Sequence, residues 1–389
     1  MATSGPSSDR RPRSSARPPP RTRRPPIPAS WKRDISFLHP GYKEPFNVLF
    51  KLPQIDQVPA PAAAAADPSP APTHYSQRYG VHHATALAAC QIVANNAFNG
   101  FLSHDPEGKQ PVGGSTTILR MKKYYFVVPD STAAADGSND RKEPYAIVPR
   151  FEDWPFPHGR IPRLWQSTPS TQGHGMDRCR GGTSVLPTCA VSGADWTADK
   201  CHIIPEDQES WYHKNGMANY RSTGGLGIDD PANMCILRTD IHAAFDASIF
   251  AVVPKPGGFG YFAVQALQFR DPWTRFIAEF HEKPFYSTAK NEYLFARFAA
   301  AVFMLIGDFV TNVEVSRRVA RRVECVDEGP ATSFETKIEW MTGRELSNVY
   351  AKGRSEGEKP RKRARGDGDD PQEDEEEEVR TRKRHRNSI

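Results

Sequence analysis

The sequence predicts an α+β fold, and three observations carry that reading. Strand signals recur: "TTILRMKKYYFVVPD" and "YAIVPRF" are rich in β-branched and aromatic residues, and "FAVVPKPGGFGYFAVQAL" reads as a β-hairpin around a Pro-Gly-Gly turn. Helix signals stand beside them. "HHATALAACQIVANNAFNGFLS" has apolar spacing near 3.6 and few breakers, which predicts a helix over Thr85–Asn96, and a long helix with a basic end is expected over Asn291–Arg322. The third observation is composition. A chain of 389 residues suffices for two ordinary domains, yet 35 prolines and a hydrophobic fraction of 38% put a good part of it outside any packed core.

The chain divides by texture. Residues 1–30 are Pro, Arg and Ser and are expected to be a disordered basic tail. An N-terminal mixed α/β domain is expected over 31–165, interrupted by a Pro/Ala-rich insertion at 58–73. "DWPFPHGRIPRLW" closes it as a Pro-punctuated connection. A central module follows over 187–268, where "CAVSG" reads as a short strand and "KCHIIP" as its return strand. Residues 271–350 read as a C-terminal helical segment. The tail 351–389 sets two basic clusters, "PRKRAR" and "RTRKRHR", around an acidic block. Such runs repel themselves, and the two clusters point to a nucleus-directed chain read by import machinery.

Charge and cysteine usage narrow the classes. The formal charge of +5 is small because opposite charges nearly cancel, so their distribution matters more than their sum. The N-terminus has no apolar stretch of the kind a secretory signal needs. The most apolar run, Phe298–Gly307, is about half of a bilayer span, so a buried helix is expected and no membrane partner. Cys90, Cys179, Cys189, Cys201, Cys235 and Cys325 form no CxxC pair. That argues against a four-Cys zinc ribbon and for a reduced, intracellular protein.

The chemistry-bearing residues lie in the central module. His202 sits in "KCHIIPED", a local context that fits a buried strand residue as well as a base. Downstream, "IDDPANMCILRTDIHAAFD" places Asn233 after a turn and His242 nine residues later, where Thr239 or Asp240 can cap a helix. Asp246 follows His242 by four residues, so both share one helical face, a half-site for a divalent cation.

The order His, Asn, His on hairpin, loop and helix resembles the HNH nucleases of the ββα-metal fold. The closest texture is the fungal subfamily that reads "AHIIP" and then "LHxxFD", and the resemblance covers about Cys189 to Val264. It implies metal-dependent endonuclease cleavage of nucleic acid, with DNA the expected substrate. His202 would be the general base, Asn233 the residue that pins the loop, and His242 a ligand of a divalent ion, with Asp246 as second ligand. Magnesium is the expected ion, with manganese or zinc as alternatives. In many HNH enzymes an acidic residue or His precedes the base, whereas here it is Cys201. Three outcomes stay open: weak magnesium binding, preference for a softer metal, or recruitment of Asp199, which shares the Cys201 face of a regular strand. A second reading stays open at this point: an HNH-fold nucleic-acid-binding or scaffold protein that cleaves weakly.

Other residues have plainer readings. His82 and His83 would point apart on a helix and make a poor metal pair. Trp196, Trp211 and Phe245 read as core or loop anchors rather than base-stacking groups. Arg317–Arg322, taken as the end of the long helix, is either a phosphate contact or a solvated face.

Overall fold

The computed structural model describes residues 33–57, 79–114, 117–129, 143–169, 188–222, 227–255, 260–269, 271–325 and 333–351. The expected tail at 1–30, the insertion at 58–73 and all but the first residue of the tail at 351–389 lie outside these, as does Cys179. The chain separates into a unit Met1–Ser347 and a unit Asn348–Ile389. The described part of the second is the end of the last helix.

The N-terminal elements are β1 (Asp34–Leu38), β2 (Val48–Pro53), β3 (Asp56–Gln57), β4 (Tyr79–His82), α1 (His83–Val93), β5 (Phe101–Ser103), β6 (Ile118–Leu119) and β7 (Lys123–Val127). They build a four-stranded sheet in the order β2-β1-β7-β5 and a three-stranded sheet in the order β3-β4-β6. β1 runs parallel to β7 and antiparallel to β2. The helix expected over Thr85–Asn96 starts two residues earlier and stops at Val93. It stops because Asn95 and Asn96 take φ of 53° and 63°, a left-handed turn that Asn tolerates. Asn96 then accepts a hydrogen bond from Trp154 Nε1 at 2.9 Å and donates to the Pro155 carbonyl at 2.8 Å. "YAIVPRF" is no regular strand, and its Ile147 makes a single parallel bridge to Val319.

After α2 (Arg163–Ser167) come β8 (Ala198–His202), α3 (Glu209–Lys214), β9 (Met234–Arg238) and α4 (Thr239–Asp246). Then follow the hairpin β10 (Phe250–Lys255) and β11 (Tyr261–Ala266), α5 (Thr274–Phe280), α6 (Asn291–Phe303) and α7 (Gly307–Thr311). The β10–β11 hairpin is the expected one. α6 is buried along nearly its whole length and packs on α1, α2 and β10. Beneath it, Trp154 and Trp211 stack at 5.8 Å with planes 3° apart, so Trp211 is the core anchor it was expected to be.

Two further expectations fail. "CAVSG" is a turn, not a strand: the Gly193 N–H closes onto the Cys189 carbonyl at 2.9 Å with Gly193 at φ 71°. β8 instead pairs antiparallel with β9, Cys201 opposite Cys235, and the turn docks on β9 through Ala190 N–H to the Ile236 carbonyl at 2.8 Å. The second failure is the long helix over Asn291–Arg322. Within the segment 271–350, expected to be helical, the chain leaves helix after α7 and enters β12 (Ser316–Cys325), paired over its length with β13 (Ser333–Thr342) before α8 (Gly343–Ala351). Val315, Val319 and Val323 recur every four residues, a spacing that lies on one face of a helix and of a strand alike. The partner decides. "SFETKIEWMT" alternates Phe334, Thr336, Ile338, Trp340 and Thr342, a strand pattern.

Candidate active site

Asn233 forms the hinge of the site. It is fully buried at the end of the loop 203–233, and its amide spans that loop. Nδ2 donates to the Ile228 carbonyl at 2.8 Å and the Ile204 carbonyl at 3.2 Å, while Oδ1 accepts from Ile204 N–H at 2.9 Å. Its backbone carbonyl accepts from Ile203 N–H at 2.7 Å. The chain just after His202 is thereby fastened to the chain just before β9. Asp230 secures the turn ahead of it, accepting from Ala232 N–H and from the Ser222 backbone and hydroxyl. Burial alone would raise its carboxyl, but these donors hold it below the usual range.

His202 closes β8 with both ring nitrogens facing carboxylates. Nε2 lies 2.9 Å from Asp229 Oδ1 and Nδ1 lies 3.5 Å from Glu206 Oε1. An ionised carboxylate only accepts, so the Asp229 hydrogen bond is made by the tautomer that carries its proton on Nε2, while Nδ1 faces Glu206 at the longer distance. Reading the sequence missed Asp229 and Glu206. Asp229 stands four residues before Asn233 in the same "IDDPAN" stretch, and Glu206 four after His202. Only the folded loop brings both to one imidazole.

Strand alternation turns Cys201 the other way, onto α4. The Cys201 sulfur, a ring nitrogen of His242 and a carboxylate oxygen of Asp246 all lie within 4.8 Å of one another. His242 Nε2 is 3.3 Å from Asp246 Oδ2, one helical turn apart as the spacing predicts. A hydrogen bond with Cys235 and another with His242 pull the Cys201 thiol down to about 6. The same contact with Cys201 raises His242, and Cys235 is pushed up. Asp199 stays outside this group and accepts from Thr239 Oγ1 at 3.2 Å. Neither Thr239 nor Asp240 is the N-cap of α4. Arg238 holds that position, and the Thr239 hydroxyl donates to the Thr197 carbonyl at 2.8 Å.

The remaining candidates lie elsewhere. His82 ends β4 and His83 begins α1, so they do not form a pair. Arg317 is fully buried between Tyr42 and Phe309, and Arg322 donates to Asn215 and the Lys214 carbonyl, so neither presents a free phosphate contact. Phe245 is core, as expected, but Trp196 is 65% exposed and anchors no core. A further cluster of Asp56, His281 and Glu282 has metal-like spacing, but the Lys255 ammonium lies 3.4 Å from Asp56 and 3.8 Å from Glu282. That ammonium takes the place a cation would occupy.

No curated protein and no solved structure matches the chain. A family model does match part of it. β8, the loop pinned by Asn233, β9 and α4 all fall inside the matched stretch, and over those residues, 189–253, the chain is similar to the HNH endonuclease family.

Proposed function

We propose that this chain is a metal-dependent endonuclease that hydrolyses phosphodiester bonds in DNA, with His202 as general base. The observation that supports it best is the adjacency of two groups on consecutive residues. Cys201 faces His242 and Asp246, while His202 faces Asp229 and Glu206. His202 accepts the proton of the attacking water at Nδ1, and Asp229 fixes the tautomer and stabilises the imidazolium that results. Asn233 takes no proton and keeps the base aimed by fastening the loop behind it. The basic clusters of the C-terminal sequence support a nuclear location and use of the import machinery.

The donor set suits a metal ion. One thiol already biased to thiolate, one imidazole and one carboxylate would offer three ligand atoms to one ion. A divalent ion held by Cys201, His242 and Asp246 would supply charge stabilisation at the leaving oxygen. The thiolate favours zinc or another borderline ion over magnesium, the ion expected from the resemblance. The second reading, an HNH fold that binds nucleic acid without efficient cleavage, is favoured by one observation. A thiol only 1% exposed stands where many HNH enzymes carry an acidic or His ligand.

The deciding experiment is plasmid nicking by the full chain with magnesium, manganese and zinc, beside His202→Ala. We expect metal-dependent nicking that falls by about 10²–10⁴-fold in the variant, with metal affinity by calorimetry unchanged. Nicking that His202→Ala retains, or none with any ion, transfers the conclusion to the binding reading.

A further inference from the structure

Three observations outside the chemistry just assigned converge on the N-terminal approach to β8. Trp196 is the most exposed large apolar side chain among the described residues, at 65%. The backbone next to it is held in place. The next residue, Thr197, takes φ of 52°, a costly conformation for a β-branched residue, and its carbonyl receives both the backbone N–H of Thr239 at 2.9 Å and the Thr239 hydroxyl at 2.8 Å. The Trp196 indole thus projects into solvent from a chain that is pinned to the start of α4 at the next residue. Finally, Lys200 is exposed and lies two residues before His202 on a regular strand, so the two share one face of β8.

We infer that this edge of β8 is a track for a nucleic-acid strand with unpaired bases, on which Lys200 contacts a phosphate beside the cleaved one and Trp196 stacks on a flanking base. The inference rests on the nuclease reading above and adds a substrate class to it. From Trp196 to His202 the chain spans at most roughly 20 Å at strand rise, about six phosphates at the 3.4 Å spacing of one stacked strand. An indole has no means of reading a paired base inside a duplex, but it offers a π-face to any unpaired one. The strain at Thr197 then has a purpose, since a backbone already fixed beneath the indole leaves less freedom to lose on binding. An exposed Trp that served only the fold would need neither that strain nor a lysine aligned with the base.

The test is binding without cleavage. A fluorescein-labelled single-stranded oligonucleotide and the matching duplex are titrated with the full chain in chelator, at several salt concentrations. Trp196→Ala is expected to weaken single-strand binding by about tenfold, to leave duplex binding within about twofold, and to leave the salt slope unchanged. Trp196→Phe is expected to restore most of the loss, because a smaller ring still stacks. Lys200→Gln is expected to weaken binding and to lower the salt slope by about 0.7, the value for one phosphate on a single strand. Both side chains are exposed, so melting temperatures stay unchanged. Trp196→Ala binding like the wild type, or an equal loss on duplex and single strand, overturns the track while nicking still stands. If the wild type binds neither oligonucleotide, the track falls, and the nuclease reading is decided by the nicking experiment alone.

Discussion

At the scale of single residues, the site depends on which way each side chain faces. Cys201 and His202 are neighbours in sequence, yet strand alternation sends one to α4 and the other to Asp229 and Glu206. On the function proposed above, the Cys201 thiol would set the metal preference without contact to the His202 ring. Cys201→Asp replaces a soft donor by a hard one of similar size. The expected outcome is a shift of metal-stimulated nicking from zinc towards magnesium, with magnesium affinity raised by calorimetry. An unchanged metal profile would remove Cys201 from the ligand set. His202, Asn233, His242 and Asp246 were legible in the sequence because each keeps a motif spacing on an element whose period is known. Asp229 and Glu206 were not: Asp229 is an acid in a loop 27 residues from His202, and Glu206 lies four residues on but past Pro205, where the strand period has ended.

At the scale of elements, α4 carries two of the three proposed ligands, so its seat matters. Arg297 of α6 reaches the C-terminal end of α4, where its guanidinium donates to the Phe245 carbonyl and stacks 4.2 Å from the centre of the Phe245 ring. A cation at a helix C-terminus also complements the exposed carbonyls there. Burial lowers the Arg297 pKa, and the nearby Cys201 and Asp246 act against that. Arg297→Leu leaves the Phe245 carbonyl without its charged donor. The expected cost is about 1.5–3 kcal/mol, read as a lower urea midpoint with unchanged slope. Metal affinity is expected to weaken as the end of α4 loosens. Stability and affinity both equal to the wild type would show that α4 needs no such brace. The β12–β13 ribbon illustrates the opposite case at this scale. Its valine spacing is compatible with either period, and pairing with a strand that begins eight residues later settles it.

At the scale of the whole described fold, a buried ionic cluster joins segments far apart in the chain. Asp56 of β3 is fully buried, with Lys255 Nζ at 3.4 Å and His281 Nε2 at 2.9 Å, and its Oδ2 accepts from His82 N–H at 2.6 Å. Burial by itself would raise the Asp56 carboxyl, but Lys255, His281 and His82 together hold it far below the usual range. Its folded pKa lies below its unfolded value, near 3.9. The stabilisation is therefore complete above that value and is lost progressively below it, as pH falls towards the folded pKa. Asp56→Ala removes the fully buried anion beside Lys255 and His281, leaving the ammonium to Gln265 and Glu282, and is expected to cost about 3 kcal/mol at neutral pH. Urea midpoints measured from about pH 5 to pH 2 should fall steeply for the wild type and more gently for Asp56→Asn. Parallel curves would show that Asp56 contributes nothing to acid sensitivity.

The sequence by itself determined what short-range periodicity can carry: α1, the β10–β11 hairpin, the helix α4, and the order of His202, Asn233, His242 and Asp246 along the chain. Each is set by interactions within a few residues, where helix and strand periods differ enough to be told apart. Tertiary structure alone decided the rest. It chose β9 rather than "CAVSG" as the partner of β8, turned Arg317–Arg322 into a strand, and brought Asp229 and Glu206 to His202. It also left Trp196 in solvent beside a strained Thr197. These outcomes depend on which distant segment supplies the missing hydrogen bonds and covers the apolar face, and local spacing says nothing of which segment that is.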